Sequence, residues 1–166
     1  MNQSIASLVQ TLSELLEKSS IKIALAESCT GGLLAAHLTA QAGSSLWFDR
    51  GFVTYSNASK TESIGVSSSI IEQYGAVSEE VAKAMAQGAL NHSAAKTSIA
   101  ITGIAGPGGA TENKPVGMVC FAWAVQFPGS PALLIASTQI FDGDRQAIRE
   151  HACAYALNEL IQILRK

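Results

Sequence analysis

Residues 21–43 read IKIALAESCTGGLLAAHLTAQAG, and this stretch decides the fold. Lys22–Ala26 is a short apolar run of strand length. Glu27-Ser28-Cys29-Thr30-Gly31-Gly32 is a turn, and Leu33–Ala42 is an alanine- and leucine-rich helix ended by Gly43. A strand feeding a helix through a tight turn is the building unit of an α/β sheet. In such sheets ligands bind at the carboxyl ends of the strands, where this turn places a hydroxyl, a thiol and two glycines.

The same pattern extends in both directions. Upstream, Ile5, Leu8, Val9, Leu12, Leu15 and Leu16 form one face of a helix over Ile5–Leu16. Downstream, Phe52–Tyr55 reads as a strand. Ser59-Lys60-Thr61-Glu62 has the capping-box form and opens a short helix with Lys60 as its first helical residue. Another short helix covers Ser69–Tyr74, and Ser78-Glu79-Glu80 starts a longer one that runs to about Asn91. Thr97–Thr102 is a buried strand, followed by a glycine- and proline-rich loop over Gly103–Pro115. Gly117–Val125 and Ala132–Ile140 are two strands joined by the turn FPGSP, and a last helix spans about Arg145–Leu164. The order α-β-α-β-α-α-α-β-β-β-α predicts an α/β fold: a three-layer α/β/α sandwich around a mixed, mostly parallel five-stranded sheet, with the last two strands antiparallel. No repeat, linker or charge block interrupts the 166 residues, so a single domain over 1–166 is expected.

Composition narrows the function. Eleven basic against thirteen acidic residues give a net charge of −2 without any basic cluster, which argues against nucleic acid as a partner. No apolar run approaches the ~20 residues of a membrane span, and the N-terminus has no signal-peptide pattern. Cys29, Cys120 and Cys153 are an odd, widely spaced set; they form no disulfide framework and fit a reducing, cytoplasmic setting. His37, His92 and His151 are far apart, fall in or near predicted helices and make no zinc pattern, so no metal site is expected. The 48% apolar content suits a homo-oligomer without setting its size.

Three segments carry the candidate chemistry. In Ser28–Gly32, a nucleophilic hydroxyl would sit beside backbone N–H groups able to hold an oxyanion or phosphate. The competing reading makes Thr30 a helix cap and Gly31 and Gly32 plain turn residues. Cys29 is a rival nucleophile, because a helix start lowers a thiol pKa. In Tyr55–Lys60, a serine without a nearby histidine would find its base in lysine. The helix dipole and burial would both lower the lysine pKa, whereas a solvated surface lysine is the alternative. In Gly103–Gly109, closely spaced glycines would let backbone approach a ligand, or would simply form a loop; Thr111 and Lys114 share that loop. Arg145, opening the last helix, would fork onto a phosphate or make a capping-loop salt bridge.

AESCTGG at 26–32, GFVTYSNASK at 51–60, YGAVSEEVA at 74–82, TGIAGPGG with KPVG at 102–117, and FDGDRQAIRE at 141–150 together resemble the CinA C-terminal domain family. The resemblance runs from the first strand to the last helix and is similar to the family's stand-alone form. It implies a three-layer α/β/α fold and hydrolysis of the carboxamide of nicotinamide mononucleotide (NMN), giving nicotinic acid mononucleotide and ammonia. It further implies Ser28 as nucleophile, Lys60 as general base, and Tyr55 relaying or positioning the proton. Thr30, Gly31, Gly32, Thr102, Gly103, Ala105, Gly106 and Arg145 are then candidates for holding the substrate, whose phosphate falls to the Gly103–Gly109 loop or to Arg145. The oxyanion falls to N–H groups near Thr30 and Gly31 or around Gly106. The expected partner is a small nucleotide, with no cofactor required. A serine–lysine enzyme for another amide, a nucleotide-binding paralogue without activity, and a role in DNA uptake or repair are the alternatives.

Overall fold

The computed structural model describes residues 3–166. Its elements are α1 (Ile5–Ser19), β1 (Ile23–Glu27), α2 (Leu33–Thr39), a single 3₁₀ turn (Ser44–Leu46), β2 (Phe48–Val53), α3 (Asn57–Ile64), α4 (Ser68–Tyr74), α5 (Glu79–Asn91), β3 (Thr97–Gly103), β4 (Met118–Val125), β5 (Leu133–Ile140) and α6 (Arg145–Leu164). The sheet order is β2-β1-β3-β4-β5. β1 pairs parallel with β2 and β3, and β4 pairs antiparallel with both β3 and β5. This is the mixed five-stranded sheet expected from the sequence, covered by helices on both faces.

The two faces differ in side-chain size, and strand alternation is the reason. Ile23 and Leu25 of β1, Ile99 and Ile101 of β3, and Val119, Phe121 and Trp123 of β4 point into one core, against α1, α2 and α6. Their neighbours Ala24, Ala26, Ala100, Ala122 and Ala124 face α5, which is itself lined with Ala82, Ala86 and Ala89. The first core gains about 1.5–3 kcal/mol for each large side chain removed from water. The second gains little per residue but lets α5 lie close enough for Ser98 Oγ to donate to Ala86 O at 2.7 Å. Gly88 serves the same close packing: a Cβ there would collide with the Ile64 carbonyl, at the end of α3.

Several boundaries differ from the sequence reading. β2 runs over Phe48–Val53 rather than Phe52–Tyr55. Asp49, Arg50 and Gly51 interrupt its apolar pattern, which an edge strand tolerates. α1 continues to Ser19 and closes on Ser20, which has the left-handed φ of 54°. α2 stops at Thr39, three residues short of the expected end. Most consequential is α3: its cap is Ser56, whose hydroxyl accepts from the Ser59 N–H, so the Ser59–Glu62 capping box does not form. Lys60 is therefore the fourth residue of the helix and not the first.

From β1 the chain passes through α2 on one face to β2. From β2 it returns through α3–α5 on the other face to β3, on the opposite side of β1. The crevice beyond the carboxyl end of β1 is thus a topological switch point, where open α/β sheets bind ligands.

Candidate active site

A cavity of about 260 Å³ opens at this point. Ser28 and Cys29 just past the end of β1, Tyr55, Asn57 and Lys60 from the segment after β2, Ala76 and Val77 before α5, Thr102 and Gly103 at the end of β3, Ile104–Gly106 and Gly108–Gly109 after it, and Arg145 of α6 line it. Three strand ends and the first turn of the last helix therefore meet around one space.

Lys60 enters from α3. Its side chain is only 1% exposed, so it is not a solvated surface lysine. Nζ stands 3.1 Å from Ser28 Oγ, 2.8 Å from Thr54 O and 3.3 Å from Tyr55 O. Burial pushes its pKa below the ordinary 10.5. Lys60 is the fourth residue of α3, but its side chain runs back past the Ser56 cap to the Thr54 and Tyr55 carbonyls, so the positive end of the helix dipole disfavours an ammonium there as well. A neutral amine has two N–H donors and one lone pair. Two carbonyls and one hydroxyl suit it with the lone pair toward Ser28, and equally suit an ammonium donating to all three.

Ser28 is 8% exposed, and its backbone N–H donates to Ile101 O at 2.9 Å, continuing the β1–β3 ladder by one residue. Cys29 lines the cavity, but burial raises its pKa to about 12, so it is no rival nucleophile at neutral pH. Burial likewise raises the Cys120 and Cys153 thiols.

The turn after Ser28 differs from its expected role. Thr30 is fully buried, its hydroxyl has no protein partner, and it does not cap α2. The cap position is Gly32, at φ 97°, preceded by Gly31 at φ 57°. Thr30, Gly31 and Gly32 do not line the cavity: Thr30 is buried and Gly31 is exposed outside it. Gly31 N–H already donates to Ser28 O at 3.0 Å and is closed to an oxyanion. Sequence reasoning missed Glu27, which is 1% exposed and accepts from Leu34 N–H at 2.9 Å and Ala35 N–H at 3.0 Å. An acid ending an apolar strand before a helix with no side-chain cap is the trace it leaves in the sequence.

The other predicted residues converge. Thr102, Gly103, Ala105 and Gly106 line the cavity, and Thr102 Oγ1 donates to Ala76 O at 2.8 Å, tying two walls together. Arg145 donates to Gly106 O at 2.7 Å and to the Tyr55 hydroxyl at 3.0 Å. Tyr55 thus meets Lys60 through its carbonyl, while its hydroxyl sits with Arg145 at the rim; the structure gives that hydroxyl no bond to Ser28 or Lys60. Lys114 donates to Tyr74 O at 2.8 Å and, with Thr111, stays outside the cavity lining. Among the described residues no group of three or more potential metal ligands occurs, and no helix is long and apolar enough to cross a membrane.

The fold and the cavity define an α/β/α domain with a buried serine–lysine pair at its switch point. Residues 5–164 match the model of the CinA C-terminal domain, and the chain belongs to that family. It is 49% identical over 140 residues to a nicotinamide-nucleotide amidohydrolase PncC of Enterobacter agglomerans, covering 84% of this chain and 83% of that protein. It is 52% identical over 143 residues to a CinA-like protein of Mycolicibacterium paratuberculosis, covering 86% of this chain but spanning only 33% of that longer protein. The crystal structure of the competence/damage inducible protein CihA from Agrobacterium tumefaciens superimposes over the full length of both chains, with a TM-score of 0.89 and 39% identity.

Proposed function

We propose that the chain is an amidohydrolase acting on nicotinamide mononucleotide, with residues 1–166 forming one catalytic domain. Relatives named nicotinamide-nucleotide amidohydrolase at 43–49% identity support the substrate class. The observation that carries the mechanism is the 3.1 Å approach of Lys60 Nζ to Ser28 Oγ inside a buried carbonyl cage.

In this reading neutral Lys60 donates its two N–H bonds to Thr54 O and Tyr55 O, and its lone pair accepts the Ser28 O–H. Ser28 Oγ attacks the carboxamide carbon while its proton passes to Lys60 Nζ. The tetrahedral oxyanion is held by N–H groups of Cys29, the residue following the nucleophile, and of the Ala105–Gly106 segment. The C–N bond breaks as Lys60 returns the proton to the leaving amine, giving ammonia and an acyl-serine. Water then attacks this ester, giving its proton to Lys60, and Ser28 is restored as nicotinic acid mononucleotide leaves. Arg145, at the rim, takes the substrate phosphate, and Tyr55 holds Arg145 through its hydroxyl.

Copies of the chain associate through β5 in this proposal. The edge strand β2 is guarded by the Asp49–Arg50 ion pair at 2.8 Å. The other edge, β5, has eight residues, no charge and no proline, with Leu133, Leu134 and Ile140 exposed. A two-fold axis through two such edges continues the sheet.

The test is ammonia release from NMN by the purified protein, with Ser28→Ala alongside. Release by the unmutated protein alone is expected; equal release by Ser28→Ala would overturn the mechanism.

A further inference from the structure

The turn carrying Ser28 is closed by two short-range main-chain bonds, Gly31 N–H to Ser28 O and Leu33 N–H to Thr30 O, both at 3.0 Å. It contains two consecutive left-handed glycines, and the short helix behind it has no side-chain cap from the turn itself. Two residues outside the cavity grip it from opposite ends. Glu27 takes the Leu34 and Ala35 N–H groups with its two carboxylate oxygens. Arg149 of α6 donates from Nη2 to Thr30 O at 2.9 Å, and the same nitrogen lies 3.8 Å from where a Cβ on Gly31 would stand. One residue holds the N–H side of the turn and its helix; the other holds its carbonyl side.

Arg149 stands one helical turn after Arg145, so both project from the same face of α6. Arg145 fastens Gly106 and Tyr55, and Arg149 fastens Thr30. The first turns of α6 thereby join all three strand-end segments of the site.

We propose that Arg149 and Glu27 are positioning residues for the nucleophile: their opposed bonds to the Ser28–Ala35 segment set the distance from Ser28 Oγ to Lys60 Nζ. Neither lines the cavity; each acts on the turn through the bonds just described. The proposal rests on Ser28 being the nucleophile. A displacement of about 1 Å in a reacting group costs about 100-fold in rate, which sets the scale of the effect.

Two variants and two readouts test it. Arg149→Met removes the bond to Thr30 from a half-buried position on a long helix, where folding is not at stake. Glu27→Gln keeps the shape but turns an amide NH₂ toward one backbone N–H. For each, kcat and KM for NMN are measured below the melting temperature, together with the rate at which an alkyl fluorophosphonate labels Ser28. The expected result is a kcat lower by about 10-fold in Arg149→Met and about 100-fold in Glu27→Gln, with KM within about twofold and labelling slowed in parallel. Unchanged kcat and labelling in Arg149→Met would overturn the positioning role while leaving the serine mechanism intact. No ammonia and no labelling in the unmutated protein would instead overturn the mechanism, and this proposal with it.

Discussion

Lys60 Nζ and Ser28 Oγ are 3.1 Å apart across 32 residues of sequence, and the amine reaches that position with two main-chain carbonyls as its other partners. Every polar contact of the lysine is therefore one that a neutral amine satisfies. The arrangement needs no carboxylate beside the base and no histidine. Burial lowers the proton affinity.

Replacing the base tests this directly. Lys60→Met keeps the length and apolar stem of the side chain and removes the proton acceptor. It should lower kcat by about 10²- to 10⁴-fold, with the fold retained. Ser28→Ala should lose more, on the order of 10⁴-fold or above. Single-turnover ammonia release measures both, and near-normal turnover in Lys60→Met would remove lysine from the mechanism.

The pH dependence has a defined sign. Lys60 acts only when neutral, so kcat/KM should rise with pH through its lowered pKa, and that acid limb should be missing from the residual activity of Lys60→Met. Stability follows the same proton. Between the lowered folded pKa and the ordinary 10.5, the unfolded chain binds the proton that the folded chain has released. Stability of the unmutated protein relative to Lys60→Met should therefore increase as pH rises through that window, and below the lowered folded pKa the difference should stay flat at its lowest value. Urea unfolding of both proteins across that range reads the difference; an opposite slope would mean the lysine is held charged.

Arg145 separates binding from chemistry. Arg145→Met removes the cation at the rim but leaves Ser28 and Lys60 in contact. Loss of one charged phosphate contact, about 1.5–3 kcal/mol, should raise KM for NMN about 10- to 100-fold. Nicotinamide riboside, which lacks the phosphate, should be hydrolysed equally poorly by both forms. An Arg145→Met enzyme with normal KM for NMN would move the phosphate elsewhere.

Gly88 links packing on the alanine-rich face to the site. A Cβ at this position would enter the Ile64 carbonyl, which ends the helix carrying Lys60. Gly88→Ala should cost about 1–3 kcal/mol and roughly 2–4 °C of Tm for each kcal/mol. It should also lower kcat, because α3 must shift. A folded variant with unchanged Tm would show that the gap between α3 and α5 yields freely.

The β5 edge predicts association. Light scattering should give about twice the 17.3 kDa chain mass for the unmutated protein. Leu134→Lys, which places a charge on the exposed edge, should shift it toward the monomer without loss of helix or sheet content. A monomer from the outset would rule out this interface.

What the sequence determined by itself follows from local rules. Short apolar runs bounded by turns, and strand-to-helix turns, specified the five strands and the layered α/β/α order. The clustering of hydroxyls and glycines after apolar runs marked three of the strand ends that line the cavity. Lys60 could be singled out because a lysine near a helix start goes against the helix dipole, Arg145 because a guanidinium there can fork onto a phosphate, and Tyr55 through the family resemblance. Only the tertiary structure decided how these parts work. It replaced Ser59 by Ser56 as the cap of α3, and buried the Lys60 amine, which lowers its pKa. It turned the Tyr55 hydroxyl toward Arg145, and left Thr30, Gly31 and Gly32 out of the cavity lining. It brought Glu27 and Arg149, which carry no motif of their own, onto the two ends of the nucleophile turn. The physical reason is range: propensity and patterning act over a few residues, whereas burial and hydrogen-bond partners depend on segments that only the packed sheet brings together.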